Sequence, residues 1–406
     1  MSAPTIDPRL IAAEPGLRGA VRDVRRKIAQ GEIGNLPVLL GLVGVWLYFW
    51  SANDRFLSAN NLTNLMLQLA AGGTIAIGVV LVLLLGEIDL SVGATSGLAA
   101  AVMVVTNTDH GWPAGLAMLA ALATGAAVGL IQGIWITKFH VPAFIVTLAG
   151  LLAWTGALLR VLGRGGSRNI NTPGILRLAS TFYGSAVTWT IAVVIAAGYV
   201  ALTLHGRRRR RAAGLVLVPM RNVVLHMVTV VGAIAIASIV FGRDRGLPLL
   251  VLIFLVLVAS CDLMLRRTRF GRHIFAVGGN AEAARRAGIA VTRVRLTVFV
   301  MASTLAAAGG VLAASRLTAV TQSSGGNDIL LNAVAAAVIG GTSLFGGRGS
   351  SWSALLGSLV IFSVINGMTL LNKTSDVRYI VTGIVLLLAV TIDAVARRGR
   401  ASAGRA

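Results

Sequence analysis

Apolar stretches, each about 20 residues and so long enough to cross the roughly 30 Å hydrocarbon core of a bilayer as a helix, recur along this chain from Leu36 almost to its end. In lipid every backbone N–H and C=O must be satisfied within the chain, so stretches of this kind fold as helices packed side by side. They lie near residues 36–50, 62–85, 90–106, 113–137, 141–163, 184–204, 221–241, 247–265, 296–315, 329–346, 351–371 and 378–394. The fold class they predict is all-α, a polytopic transmembrane helix bundle of about twelve spans. A basic segment 1–35, a membrane domain 36–395 and a basic tail 396–406 account for all 406 residues, of which 56% are hydrophobic and 12% charged. No large soluble domain fits.

The formal net charge of +22 would point to nucleic acid in a water-soluble chain. Here the basic residues form short blocks between apolar stretches: Arg22, Arg25, Arg26 and Lys27, then Arg207 to Arg211, Arg266 to Arg272, and Arg397, Arg398 and Arg400. Such blocks are topology signals, and no aromatic-basic interleaving accompanies them, so nucleic acid is excluded as a partner. With the N-terminus inside, about 26 of the 36 Lys and Arg fall on the cytoplasmic side and about 10 on the other. An even number of spans returns the C-terminus to the cytoplasm. The 35 mostly polar residues before Leu36 make the first span a retained anchor. Within them Leu17, Val21, Val24 and Ile28 recur at helical spacing, which fits an in-plane amphipathic helix, while Gly16, Gly19 and Gly31 fit a disordered basic tail.

Enzyme chemistry finds little support. The one cysteine, Cys261, lies inside an apolar stretch, and the five histidines are scattered without metal-ligand spacing. Glycine is abundant, with 48 residues. Gly72, Gly73, Gly125, Gly129, Gly309 and Gly310 lie within spans, where small residues let backbones approach closely. Phe144 to Thr147 echoes Tyr379 to Thr382 in segments expected to run in opposite directions, as inverted repeats would. A second echo, Gly86 to Gly93 against Gly340 to Gly347, lacks that inversion.

Two constellations carry functional expectations. The polar loop 266–295 is far longer than the few residues that join helices in a bundle. Within it Asn280 is suited to cap a short helix, Glu282 to favour its dipole, Ala283 and Ala284 to continue it, and Gly288 to end it. A short helix held outside the membrane between two spans suits docking. The second constellation, Gly86-Glu87-Ile88-Asp89-Leu90-Ser91-Val92-Gly93, sets two acids between apolar stretches. Carboxylates near bilayer depth cost roughly 2.5–3.5 kcal/mol each on insertion scales, which points either to function or to capping of the next helix by Asp89 and Ser91. Separately, Asn61, Asn64 and Gln68 fall at i, i+3 and i+7, on one helical face.

Together with Val141 to Gly150, Ala276 to Asn280 with its Glu-Ala-Ala segment, and Val338 to Gly347, the segment 86–93 resembles the signatures of monosaccharide ABC importer permeases of the ribose/xylose type. The resemblance runs from about Asn60 to the C-terminus, and the basic run and span pair at 205–246 is similar to the xylose branch. It implies a bacterial inner-membrane permease working as a homodimer with a cytoplasmic ABC ATPase subunit and a periplasmic sugar-binding protein, and it implies that 280–288 is the coupling helix; at 86–93 at least one of Glu87 and Asp89 is expected to affect gating or packing beyond helix capping. For a neutral sugar the amide stripe Asn61, Asn64 and Gln68 is a candidate path lining or an interhelical hydrogen-bond set. Gln132, Trp135, Asn332 and Asn366 are further path candidates, whereas Trp46 and Trp50 suit an interfacial aromatic belt.

None of the three lysines follows a glycine, so the phosphate-binding Gly-Lys-Ser/Thr loop is absent and no cofactor is expected on this chain. ATP and Mg belong on the partner subunit. The alternative is an ion-coupled sugar symporter that uses Glu87 and Asp89 as cation or proton sites.

Overall fold

The computed structural model describes residues 36–385 apart from Val216 and Val218, together with residues 387 and 391. The expected amphipathic segment at 17–28 and the basic tail 396–406 lie outside the described residues.

Helix forms at each apolar stretch that the sequence marks. In chain order these are α1 (Leu36–Ala52), α2 (Ala59–Leu84), α3 (Val92–Thr108), α4 (Ala114–Lys138) and α5 (Ala143–Leu162). A distal segment follows, with β1 (Ser167–Asn169), α6 (Pro173–Ser180) and β2 (Phe182–Tyr183). Next come α7 (Ser185–Ala212), α8 (Met220–Arg243), β3 (Leu247–Pro248) and α9 (Leu249–Arg267). The 266–295 loop holds α10 (Arg269–Gly279) and α11 (Ala281–Arg286), and it leads into α12 (Val291–Leu317), β4 (Ala319–Thr321), α13 (Asn327–Ile339) and α14 (Ser351–Leu370). Residues 375–385, also helical, are labelled α15. Among the described residues eight helices are long and apolar enough to cross a membrane: α2, α4, α5, α7, α8, α9, α12 and α14. The apolar helices α1, α3 and α13 are shorter.

Three boundaries differ from the sequence expectation. The stretch at 329–346 stops being helical at Ile339, because Gly340 and Gly341 follow and Gly341 takes φ +100°. Helix α7 continues past 204 through Arg207 to Arg211, since arginine is a strong helix former and need not lie in lipid. The loop 266–295 contains a second helix, α10, begun by Thr268, whose side chain accepts a hydrogen bond from the Gly271 N–H at 3.0 Å.

The end of the bundle that carries α10 and α11 is called proximal and the opposite end distal. Helix α12 lies at the centre, packed on α2, α3, α4 and α6, while α2 packs in addition on α13, α14 and α9. The α3–α4 and α13–α14 pairs also pack closely. Burial needs close backbone approach: a Cβ at Gly129 of α4 would run into the Phe299 carbonyl of α12, and one at Gly310 of α12 would meet the Ser96 carbonyl of α3. Helices α7 and α8 form a peripheral hairpin, with only 11% and 6% of their apolar windows buried against the rest of the chain. Two short antiparallel pairs tie the distal end, Ser167 opposite Thr321 in β1–β4 and Phe182 opposite Pro248 in β2–β3.

Candidate functional site

Three glycine-containing turns meet at the proximal end. The Gly347 N–H donates to the Leu84 carbonyl at 2.9 Å, and Gly346, at φ +82°, lies against the backbones of Gly278 and Gly86. Gly278 sits so close to the Leu84 carbonyl that a side chain there has no room. The segments 86–93, 276–280 and 338–347, far apart in sequence, are therefore one structural unit.

From Gly86 the chain enters the bundle without helical structure until Val92. Thr147 Oγ1 of α5 donates to the Ile88 carbonyl at 3.3 Å, and Gln132 Nε2 of α4 donates to Ser91 Oγ at 2.6 Å. Gln132 lies six residues before the end of α4 at Lys138, so Ser91 sits about 9 Å inside that helix end. Ser91 precedes α3 but its hydroxyl caps no helix N–H. Instead Asp89 Oδ1 accepts from both the Ser91 N–H (2.8 Å) and Ser91 Oγ (2.7 Å), an Asx-type turn that holds the break in shape. Asp89 is only 3% exposed. Its Oδ2, Gln132 Oε1 and the Trp154 indole Nε1 have no hydrogen-bond partner among the described residues.

Glu87 pairs with Arg295 of α12, Oε1 to Nη2 at 3.0 Å. This carboxylate lies outside the spanning helices, and burial raises it above the usual carboxylate range while the Arg295 guanidinium acts in the opposite direction. Arg295 lies one turn into α12, the helix that follows α11. The pair thus joins the 86–93 break to the segment leaving the candidate docking helix.

Helix α11 has the ends its sequence predicts. Asn280 Oδ1 accepts from the Ala283 N–H at 2.9 Å, and Gly288, at φ +83°, ends the helix while its N–H donates to the Arg285 carbonyl and that of Ile289 to the Ala284 carbonyl. Glu282 pairs along the exposed face with Arg286 (3.3 Å) and Arg285 (3.7 Å). One placement differs from expectation. Ala283 faces outward, but Ala284 is 4% exposed and packs into the chain's own core, because a six-residue helix needs an anchoring face to hold its position.

The amide stripe on α2 divides. Asn61 is buried and exchanges two hydrogen bonds with Asn366 of α14, Nδ2 to Oδ1 at 2.8 Å and back at 3.0 Å. Asn64 lies near the distal surface with Asn60 (3.2 Å) and Arg245 (3.4 Å), and Gln68 is half-buried. Trp135 is exposed on α4 with its ring 4.6 Å from that of Phe139, and Asn332 on α13 is half-buried. Trp46 Nε1 donates to Ser363 Oγ at 2.9 Å. Gly93 backs onto the Gly325 carbonyl.

Arg295 and α10 were not singled out from sequence. An arginine directly bordering the apolar span 296–315 was a usable signal, as was the Phe270, Ile274 and Val277 spacing after a Ser/Thr-type cap.

A protein family described as "Branched-chain amino acid transport system / permease component" matches residues 61–390, most of the chain. The chain belongs to this permease family. The permease is 36% identical over 363 residues to the xylose transport system permease protein XylH of Escherichia coli K12, covering 89% of this chain and 92% of that protein. It is 37% identical over 366 residues to XylH of Haemophilus influenzae, covering 88% and 95%. The ribose import permease protein RbsC of Escherichia coli K12 is 32% identical over 372 residues, covering 91% and 96%. No solved structure matches the permease. Its helices and its family make it a multi-pass membrane protein, and all the turns at the proximal end lie within the matched region.

Proposed function

We propose that the permease is the membrane-spanning subunit of an ATP-driven ABC importer for a monosaccharide, with xylose as the first sugar to test. The observation that carries this is likeness to xylose permeases across nearly nine-tenths of the chain, and the packed unit of 86–93, 276–280 and 338–347 gives the likeness a physical focus. The chain itself carries out no covalent chemistry. A cytoplasmic ATPase subunit binds ATP and Mg, a periplasmic protein delivers the sugar, and two permease copies form the passage.

In this reading the proximal end is cytoplasmic, both termini lie there, and α1 to α5, α7 to α9 and α12 to α15 make twelve spans. Inverted repeats run from α2 to α5 and from α12 to α15. The packing of α12 on α3 and α4 beside that of α2 on α13 and α14 supports this, as does the place of the Phe144 to Thr147 and Tyr379 to Thr382 echo in the fourth helix of each half. Asn280, Glu282, Ala283 and Gly288 form the contact with the ATPase, and Glu87, Asp89 and Ser91 belong to the gate.

Reconstitution decides between this reading and an ion-coupled symporter. Uptake of D-xylose into proteoliposomes should require ATP, the ATPase subunit and the binding protein together. Uptake by the permease alone under a proton or sodium gradient would overturn the proposal.

A further inference from the structure

Helices α3 and α13 are both short, and each follows a non-helical break, 85–91 before α3 and 318–326 before α13. The second break meets the start of α3. Gly93 and Gly97 of α3 lie against the carbonyls of Gly325 and Ser324, and Leu158 of α5 closes on Gly97. Where they meet is a cavity of about 200 Å³. Leu151, Leu158 and Ala94 form its apolar wall, and Thr155, Gln322, Ser324 and Asn327 supply hydroxyl and amide groups beside the backbone of Gly325 and Gly326.

The depth of this cavity constrains its use. Leu151 and Thr155 are eight and twelve residues into the twenty-residue α5, about 12 and 18 Å from its proximal end and so in the middle of the span. Gly97 is eleven residues, about 16 Å, from the distal end of α3. Irregular backbone at membrane depth is tolerated only inside protein or along a water-filled passage. Gln322, Asn327 and Asp328 are exposed on the chain's surface at this break, which rules out lipid as their neighbour. Their neighbour in the membrane is therefore water or protein, such as a second permease copy.

We propose that this cavity is a binding station for one neutral monosaccharide within each permease copy. The inference rests on the sugar-permease reading above and adds a site to it. The lining side chains are neutral, with the Asp328 carboxylate beside Gly326 at the edge, so the site suits a neutral polyol and disfavours anions. The volume is below the about 300–1,000 Å³ of pockets for drug-sized ligands and is on the scale of a single sugar ring. Thr155 Oγ1 donates to the Leu151 carbonyl at 2.6 Å and keeps its lone pairs for a ligand hydroxyl, and the amides of Gln322 and Asn327 can donate and accept. Leu151 and Leu158 offer the apolar surface that a sugar's C–H face requires.

The test uses the complete transporter with Cys261→Ala, so that a new cysteine is the only one on the permease. Thr155→Cys is labelled with a small thiol reagent in the presence of D-xylose, D-ribose or the non-sugar polyethylene glycol 200. The proposal expects the transported sugar to slow labelling severalfold and polyethylene glycol not to. Separately, Gln322→Leu and Asn327→Leu should raise the KM for uptake from the sugar-loaded binding protein about tenfold or more, with membrane expression retained. Uptake intact in both variants, together with labelling of Thr155→Cys indifferent to every sugar, overturns the station while leaving the importer reading in place. Absence of ATP-dependent sugar uptake by the unmodified transporter overturns the reading beneath it instead.

Discussion

The Arg295 guanidinium lies 3.0 Å from the Glu87 carboxylate, joining the helix that leaves the docking segment to the break that precedes α3. In the proposed importer an ATPase pushing on α11 would move the start of α12, and this pair would carry that movement to the 86–93 break. It is partly shielded, with side chains 30% and 18% exposed, and among the described residues Arg295 Nε has no hydrogen-bond partner, so removing Glu87 leaves a cation in poor surroundings.

Glu87→Gln and Arg295→Gln are each expected to lower ATP-dependent sugar uptake about tenfold, the scale of about 1.4 kcal/mol of lost coupling. The double exchange Glu87→Arg with Arg295→Glu should recover much of that loss. Uptake rates normalised to membrane expression check this, and a double exchange no better than either single would reduce the pair to local packing.

The proposed docking helix α11 separates two kinds of alanine change. Ala283→Trp projects from the exposed face and should abolish ATPase co-purification while the permease remains folded. Ala284→Trp forces an indole into the permease's own core and should lower the yield of folded protein itself. Size-exclusion profiles of the solubilised permease, run beside pull-down of the ATPase, distinguish the two. Gly288→Pro removes the N–H that closes the helix on Arg285 and should also weaken assembly.

The reciprocal amide pair of Asn61 and Asn366 should show the asymmetry of buried hydrogen bonds. Asn61→Leu alone strands the partner amide and is expected to cost about 1–3 kcal/mol, whereas Asn61→Leu with Asn366→Leu should lie closer to the parent. Thermal unfolding midpoints in detergent measure this. Equal destabilisation by single and double would mean that the Asn61 hydrogen bond to the Phe56 carbonyl, at 2.8 Å, outweighs the amide pair.

A cysteine at Ala212, in the Cys261→Ala background, should react with an impermeant thiol reagent in inside-out vesicles and stay unreacted in intact cells. Position 212 ends α7 just after the arginine run, so labelling from outside the cell would invert the proposed topology. The α7–α8 hairpin buries little against the bundle, and its removal should leave a folded permease that still takes up sugar.

The sequence by itself determined the helices, because in lipid the backbone has one way to satisfy itself and a run of apolar residues states its own length. It also determined the short helix α11, whose cap at Asn280 and end at Gly288 are local chemistry that needs no distant partner. Only the tertiary structure decided which face each residue shows. Asn61, Asn64 and Gln68 share a helical face on paper, yet Asn61 is spent on Asn366, 305 positions away. Ala284 turns inward while its neighbour Ala283 turns outward. Glu87 finds Arg295, and the start of α3 meets the break before α13 to enclose a cavity. Periodicity reports the angle between residues on one helix, but not which neighbouring helix lies at that angle. That choice depends on how closely glycines such as Gly129 and Gly310 let the backbones approach, a property of pairs of helices that no single segment contains.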